Sequence, residues 1–251
     1  MESSGRWCSN LSARATIVIP AYEEGQNITQ VLNRIIEALN VESEIVVVVD
    51  SSNDSTIPFI IANDIDSHKI GYVINTYGPG PGNAIRFGIE KASTEVVVVT
   101  MADGSDDVFQ IDSMVRLIER GVAVVSASRY TKNGRQVGGP FIKSLLSRLA
   151  GVSLFYFGRV GTRDATNSFK AYSKEFINQV GIESDKGFEI GIELVAKARR
   201  NRMPVAEIPT IWIDRTVGVS RFRLLSWIPV YFKWYFFAII PWRVRSRGSN
   251  N

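Results

Sequence analysis

Five short stretches rich in valine and isoleucine, residues 16–19, 45–49, 72–74, 96–100 and 122–126, alternate with stretches of helical periodicity. The strand-like runs show no polar–apolar alternation, so each is expected to be covered on both faces. Between them, Ile28, Val31, Leu32, Ile35, Ile36 and Leu39 recur at helical spacing, as do Ile111, Met114, Val115 and Ile118; residues 83–92 form a further helical stretch. A βαβαβ alternation of this kind predicts an α/β fold, a mostly parallel sheet with helices on both faces. At 251 residues, the chain is long enough for one large domain with an appendage.

Beyond residue 128 the alternation ends. Residues 141–157 form an apolar and basic helix candidate, 166–172 an extended segment, 188–199 another helix, and 205–213 a strand broken at Pro209.

Ligands of parallel sheets bind beyond the carboxyl ends of the strands, so the residues that follow each run carry the most information. Here they are acidic and polar: Pro20-Ala21-Tyr22-Glu23-Glu24, Asp50-Ser51-Ser52-Asn53-Asp54, and Met101-Ala102-Asp103-Gly104-Ser105-Asp106-Asp107. Three such loops on one rim suit a hard divalent cation held against a diphosphate, with Asp103 as its best-placed ligand. Asp106 and Asp107 either back that site or cap the helix that begins near Gln110. The stretch Gly78-Pro79-Gly80-Pro81-Gly82 leads into a helix and offers either backbone N–H groups for a phosphate or a tight loop for close packing. It lacks the spacing of a dinucleotide site.

Cys8 and His68 are each the only residue of their type. That excludes an internal disulfide framework, a zinc cluster and a histidine-based triad, leaving carboxylates, cations and backbone to run any chemistry. The net charge of +4 is concentrated at the C-terminal end, in Arg215, Arg221, Arg223, Lys233, Arg243, Arg245 and Arg247. No basic stripe with stacking aromatics crosses the body, which argues against nucleic acid and for a membrane surface as partner. Residues 1–14 carry no apolar run of a secretory signal, so the expected location is cytoplasmic.

Residues 224–242 hold Trp227, Trp234 and Trp242 among tyrosines and phenylalanines, with Pro229 and Lys233 inside. As a helix this segment would reach ~28 Å, barely the ~30 Å of a hydrocarbon core. Residues 220–247 are therefore read as one or two interfacial amphipathic, aromatic helices lying on the membrane, with a spanning helix and a core or oligomer helix as alternatives. This divides the chain into a domain at 1–223 and a membrane-associating segment at 224–251.

Seven fragments in order resemble family 2 glycosyltransferases of the GT-A fold, in the dolichol-phosphate mannose synthase-like, or polyprenyl-phosphate glycosyltransferase, branch. They are Ile17-Val18-Ile19-Pro20-Ala21-Tyr22-Glu23-Glu24; Val49-Asp50-Ser51-Ser52-Asn53-Asp54-Ser55-Thr56; the glycine stretch with Ala84-Ile85-Arg86-Phe87-Gly88; Ala102-Asp103-Gly104; Ser128-Arg129-Tyr130; Asp164-Ala165-Thr166-Asn167-Ser168-Phe169; and Asp214-Arg215-Thr216-Val217-Gly218-Val219-Ser220. The resemblance implies an inverting transfer of a sugar from a UDP- or GDP-linked donor to a dolichyl or undecaprenyl phosphate at the cytosolic membrane face. A saccharide acceptor is the alternative, and a non-catalytic nucleotide-sugar-binding subunit a third.

By the same resemblance, Pro20, Ala21, Tyr22, Glu24, Asp50, Ala102, Asp103 and Arg215 bind the donor. Asp103 and Ser105 hold Mg²⁺ or Mn²⁺, and Arg129, Lys143 and Ser147 grip the acceptor phosphate. Asp164 joins Arg129 and Lys143 close to the reacting centre. The sequence departs from the family pattern at Met101, where the first acid of Asp-x-Asp is usual, and at Ser105, Lys143, Ser51 and Asn167-Ser168. A polyprenyl phosphate is ionised near neutral pH, so the attack needs no strong general base and positioning carries the reaction.

Overall fold

A computed structural model describes residues 12–62, 70–214 and 224–240. The valine-rich runs become strands β1 (Ala15–Ala21), β2 (Ser43–Val49), β3 (Ile70–Ile74), β4 (Val96–Val99) and β5 (Val124–Ser128). The strands β1, β2, β4 and β5 are buried along their whole length, and polar groups inside them find partners, as where the Thr16 hydroxyl donates to Glu44 at 2.6 Å. The helices between them are α1 (Asn27–Ala38), α2 (Ile57–Ala62), α3 (Pro81–Lys91) and α4 (Ile111–Glu119). The α2 helix was not anticipated; its six residues are too few for a periodic signal.

The C-terminal half adds β6 (Arg135–Val137), α5 (Phe141–Ser153), β7 (Lys170–Ser173), α6 (Lys174–Val180), α7 (Ile190–Arg200), β8 (Val205–Pro209), β9 (Ile211–Ile213) and α8 (Leu224–Ile239). The expected helix at 141–157 is α5 continued by a π turn over Leu154–Gly158. The segment expected to be extended from residue 166 is a strand only from Lys170. The strand break falls at Thr210, with Pro209 still paired to Ser128.

The main sheet runs β3-β2-β1-β4-β7-β5-β8, and a second, two-stranded sheet pairs β6 with β9. Every neighbour in the main sheet is parallel except β7, which is antiparallel to β4 on one side and β5 on the other. One core layer packs α1 and α4 through Ile28, Leu32, Ile35, Met114 and Val115 against Ile17, Ile19, Ile45 and Val47. The opposite layer packs α3, α6 and α7 against Val18, Val46, Val48 and Val97. The side chains alternate between layers along each strand, as the pleat demands.

The α8 helix belongs partly to this second layer. Trp234 is 1% exposed, and Tyr231, Tyr235 and Phe237 pack beside it. The Tyr235 hydroxyl donates to Ser153 Oγ at 2.9 Å, and Lys233 pairs with Glu183 at 3.3 Å. The expectation of a purely interfacial helix is thus corrected in part: burying Trp234 anchors one side of α8 to the domain. Phe232, Phe236 and Ile240 remain more than half exposed. The rest of the 220–247 segment outside α8 and Ile240 lies outside the described residues. Among the described residues, no helix is long and apolar enough to cross a membrane.

Candidate active site

The parallel pairing of β1 with β2 and β4 puts the three acidic loops on one rim, because Ala21 stands opposite Val49 and Val18 opposite Val99. Asp50 and Asp103 therefore lie at the same end of the sheet. The first two loops are stitched together. Asp54, 2% exposed, accepts from the Glu23 amide at 3.1 Å, and Thr56 Oγ1 accepts from the Glu24 amide at 3.1 Å. Asp54 is thus a clamp, holding Glu23 in its left-handed conformation (φ 53°). Above it Tyr22 is 54% exposed and Glu24 half-buried, while Pro20 and Ala21 are buried in the strand end.

Asp50 accepts from Asn75 Nδ2 at 2.9 Å and from the Gly80 amide at 2.8 Å. The carboxylate thereby ties the β2 loop to the glycine-rich turn. That turn is closely packed. A Cβ on Gly82 would lie 2.7 Å from the Gly187 nitrogen, so the turn needs glycine to lie against the 185–187 backbone.

On the β4 loop, Asp103 Oδ1 accepts from the Ser105 hydroxyl at 2.6 Å and its amide at 3.1 Å. Ala102 is buried beside it. Neither Asp106 nor Asp107 caps the following helix with its side chain. Asp107 accepts from Gln110 Nε2 at 3.2 Å, whereas Asp106 turns inward to Thr100 Oγ1 and the Met101 amide, both at 3.0 Å. Burial, then the neighbouring charge of Asp103, pushes the Asp106 carboxyl up to about 7.

Arg129 follows β5. Its Nε and Nη2 donate to the two oxygens of Asp164 at 2.7 and 2.8 Å, and its amide donates to Asp164 Oδ2 at 3.0 Å. Nη2 also reaches Ser147 Oγ at 3.1 Å, which bonds Thr166 Oγ1 at 2.6 Å and accepts from the Tyr130 hydroxyl at 3.0 Å. Burial opposes charge on both partners of the Arg129–Asp164 pair. Their mutual attraction outweighs it, raising the guanidinium pKa and lowering that of the carboxyl. Asp164 is fully buried, so it stands behind Arg129 and is screened from any ligand.

A cavity of about 1050 Å³ joins these parts. Asp103, Ser105, Asp106, Arg129, Lys143, Ser147 and Asp214 line it with Leu146, Leu149, Ile192, Tyr231, Phe232 and Tyr235. It thus brings together the candidate cation ligands and the candidate phosphate-binding groups. Pro20, Ala21, Tyr22, Glu24 and Asp50 lie along the rim and not in its wall, as does Ala102. Arg215 lies outside the described residues; its neighbour Asp214 lines the wall. Three contributors escaped sequence reasoning: Thr166, Tyr130 and Trp212. Arg129 lies over the rings of Tyr130 (4.9 Å) and Trp212 (6.0 Å). An Arg-Tyr pair was visible, but nothing marked its hydroxyl as part of a phosphate-sized cluster.

Comparison with known proteins agrees with this architecture. At 26% identity over 242 residues, the chain resembles the polyprenol monophosphomannose synthase of Mycolicibacterium smegmatis, covering 93% of this chain and 88% of that one. It is 29% identical over 219 residues to the dolichol-phosphate mannosyltransferase of Pyrococcus furiosus, covering 84% of this chain and 59% of that enzyme. The fold matches glucosyl-3-phosphoglycerate synthase from Mycobacterium tuberculosis. In its complex with Mn²⁺, UDP and glucosyl-3-phosphoglycerate, the TM-score is 0.64 at 18% identity, over 91% of this chain and 81% of that one. In the complex of the same enzyme with Mg²⁺ and UDP the TM-score is 0.62 at 17% identity, over 91% and 80%. The family model for glycosyl transferase family 2 matches residues 16–181, and with the GT-A sheet and its acidic rim in place, the chain belongs to that family.

Proposed function

We propose that this glycosyltransferase moves a sugar from a UDP- or GDP-linked donor to a polyprenyl phosphate, by single displacement with inversion, at the cytosolic face of a membrane. The observation that carries this reading is the shared cavity, in which Asp103 faces the same space as Arg129, Lys143 and Ser147, with an apolar wall beside them. A phosphate with a long hydrocarbon tail fits that combination better than a sugar alone. The relatives named for polyprenol and dolichol phosphate support the same acceptor.

On the donor side, the β1 and β2 loops with Pro20, Ala21, Tyr22, Glu24 and Asp50, together with Ala102, form the rim for base and ribose. Arg215, which follows Asp214 in the chain, is assigned to the donor diphosphate by the family resemblance. A divalent ion fits this rim as a partner of the substrate. Among the described residues no three His, Cys, Asp or Glu side chains converge to hold one. Magnesium characteristically takes one or two carboxylates and completes its shell with phosphates and water. Asp103 would hold Mg²⁺ or Mn²⁺, with Ser105 bonded to its carboxylate, and the ion would neutralise charge on the departing diphosphate.

On the acceptor side Arg129 presents a pre-oriented fork. Asp164 takes Nε and Nη2, while Nη1 is committed to none of these bonds, so Asp164 acts as a positioning residue. Lys143 adds a point charge and Ser147 a hydroxyl on the same wall. The acceptor oxygen is already anionic; these groups align it and screen its charge.

Residues 1–223 carry this chemistry, and the membrane-facing surface combines α5 with α8 of the 224–251 segment. Phe141, Ile142, Leu149 and Phe157 are 77, 68, 59 and 72% exposed along α5 and its π turn. Phe232 and Phe236 stack beside one another on α8, ring centroids 5.8 Å apart. An exposed apolar surface this dense suits the boundary of a bilayer. The deciding experiment supplies radiolabelled nucleotide sugars and polyprenyl phosphate in vesicles. A mild-acid-labile, organic-extractable product lost in Asp103→Ala and Arg129→Met is the expected result; aqueous oligosaccharide alone would reject the acceptor assignment.

A further inference from the structure

Lys170 is completely buried in the middle of the sheet, at the first position of β7. Its ammonium donates to the carbonyls of Asp164 (3.2 Å), Ala165 (3.2 Å) and Asn167. Three acceptors match the three N–H groups of an ammonium, so this cation is satisfied by backbone alone. All three carbonyls belong to one short segment, and that segment carries Asp164 and Thr166. A buried charge is retained only where its bonds are complete, and a flexible lysine is a poor filler of sheet interior.

Lys170 also has a distinct place in the topology. It is the register partner of Val99 on β4 and of Ser126 on β5. Those strands lead respectively to Asp103 and to Arg129. Val99 is the last residue of β4 before the donor loop, and Ser126 lies three residues ahead of the acceptor arginine.

We infer that Lys170 is a positioning residue for the acceptor side, gathering the carbonyls of residues 164–167 so that Asp164 holds the Arg129 fork in one orientation. The lysine touches no substrate; it acts through Asp164 and then Arg129. This rests on the reading of Arg129 as the acceptor-phosphate ligand. Burial pushes the Lys170 ammonium down to about 7, against the opposing pull of Asp164.

The test compares Lys170→Met and Lys170→Gln with the parent in the full chain. Loss of bonds to a charged group corresponds to about a tenfold change in affinity. The expected result for Lys170→Met is a KM for polyprenyl phosphate raised about tenfold, with an unchanged Kd for the nucleotide-sugar donor. Faster amide exchange confined to residues 162–169 should accompany it. Lys170→Gln, which keeps two N–H donors, should fall between the two proteins on both measures. An unchanged acceptor KM, or equal weakening of donor and acceptor, overturns the proposal. So does global unfolding of both variants, which would make Lys170 a determinant of the whole sheet. Arg129→Met separates the underlying reading. If it leaves acceptor KM untouched while Lys170→Met still loosens residues 162–169, the acceptor assignment fails and the backbone role stands.

Discussion

Gly151 offers a test in which local propensity and tertiary packing predict opposite signs. It lies in α5, where replacing glycine by alanine ordinarily stabilises a helix by about 1 kcal/mol. Here a Cβ would fall on the carbonyl oxygen of Arg163, with the Arg163 carbonyl carbon at 3.1 Å and Asp164 Cα at 3.4 Å. The obstacle is backbone, and it is anchored through Asp164 to Arg129, so it cannot swing away as a flexible side chain would. Overpacking of this kind costs roughly 1–3 kcal/mol, and a fixed backbone partner puts Gly151→Ala at the upper end. Subtracting the propensity gain leaves a net loss of about 2 kcal/mol. At about 2–4 °C per kcal/mol for a chain of this size, Tm should fall by roughly 4–8 °C. Because α5 also carries Lys143 and Ser147, acceptor KM should rise while donor affinity stays constant. The assays are thermal unfolding by circular dichroism and initial rates at varied polyprenyl phosphate. A Tm equal to or above that of the parent would refute the close-approach argument.

Asp164→Asn addresses acid stability. The Arg129 charge and bonds overcome burial and leave the Asp164 carboxyl below its ordinary value of 3.8. A carboxyl depressed in the folded state contributes stability that is present above its unfolded pKa and is lost as pH falls through the folded value. Urea unfolding across the acid range should therefore show a steeper decline in the parent than in the variant; parallel curves would deny the linkage. Paired replacement of Leu149 and Phe157 by serine should weaken sedimentation with anionic vesicles at least tenfold, since burying each side chain is worth about 1.5–3 kcal/mol. Tm should hold, because both residues are exposed in the free protein. Trp234→Ala should destabilise by about 3–5 kcal/mol, seen as a loss of Tm, because the indole is fully buried. An unaltered Tm would return α8 to a purely peripheral role.

Much of this molecule was legible in its residues, for identifiable reasons. Runs such as Val46-Val47-Val48-Val49 have one low-energy destination, a strand covered on both sides, and polar residues at strand ends fall on one rim once the strands are parallel. Reading along the chain fails where meaning depends on a distant neighbour. Asp54 and Asp106 look like their acidic companions, yet each turns inward to brace a loop. The segment at 166–172 reads as extended, but the charge of Lys170 gives no sign that β7 is a central strand or that it runs antiparallel. Phe141 and Phe157 read as the two ends of an apolar and basic helix candidate, and only the fold shows that both stay exposed. The same holds for Gly151, whose necessity is set by a carbonyl twelve residues ahead.

The insertion of β7 between β4 and β5 also sets a ruler. Strand spacing is about 4.8 Å, so the strands that deliver Asp103 and Arg129 stand roughly 10 Å apart, with β7 the one strand bonded to both. Both walls hang from the same ladder, so shear in the sheet carries them together. The separation of the two walls is therefore built into the order of the strands, while the shape of what lies between them falls to the loops.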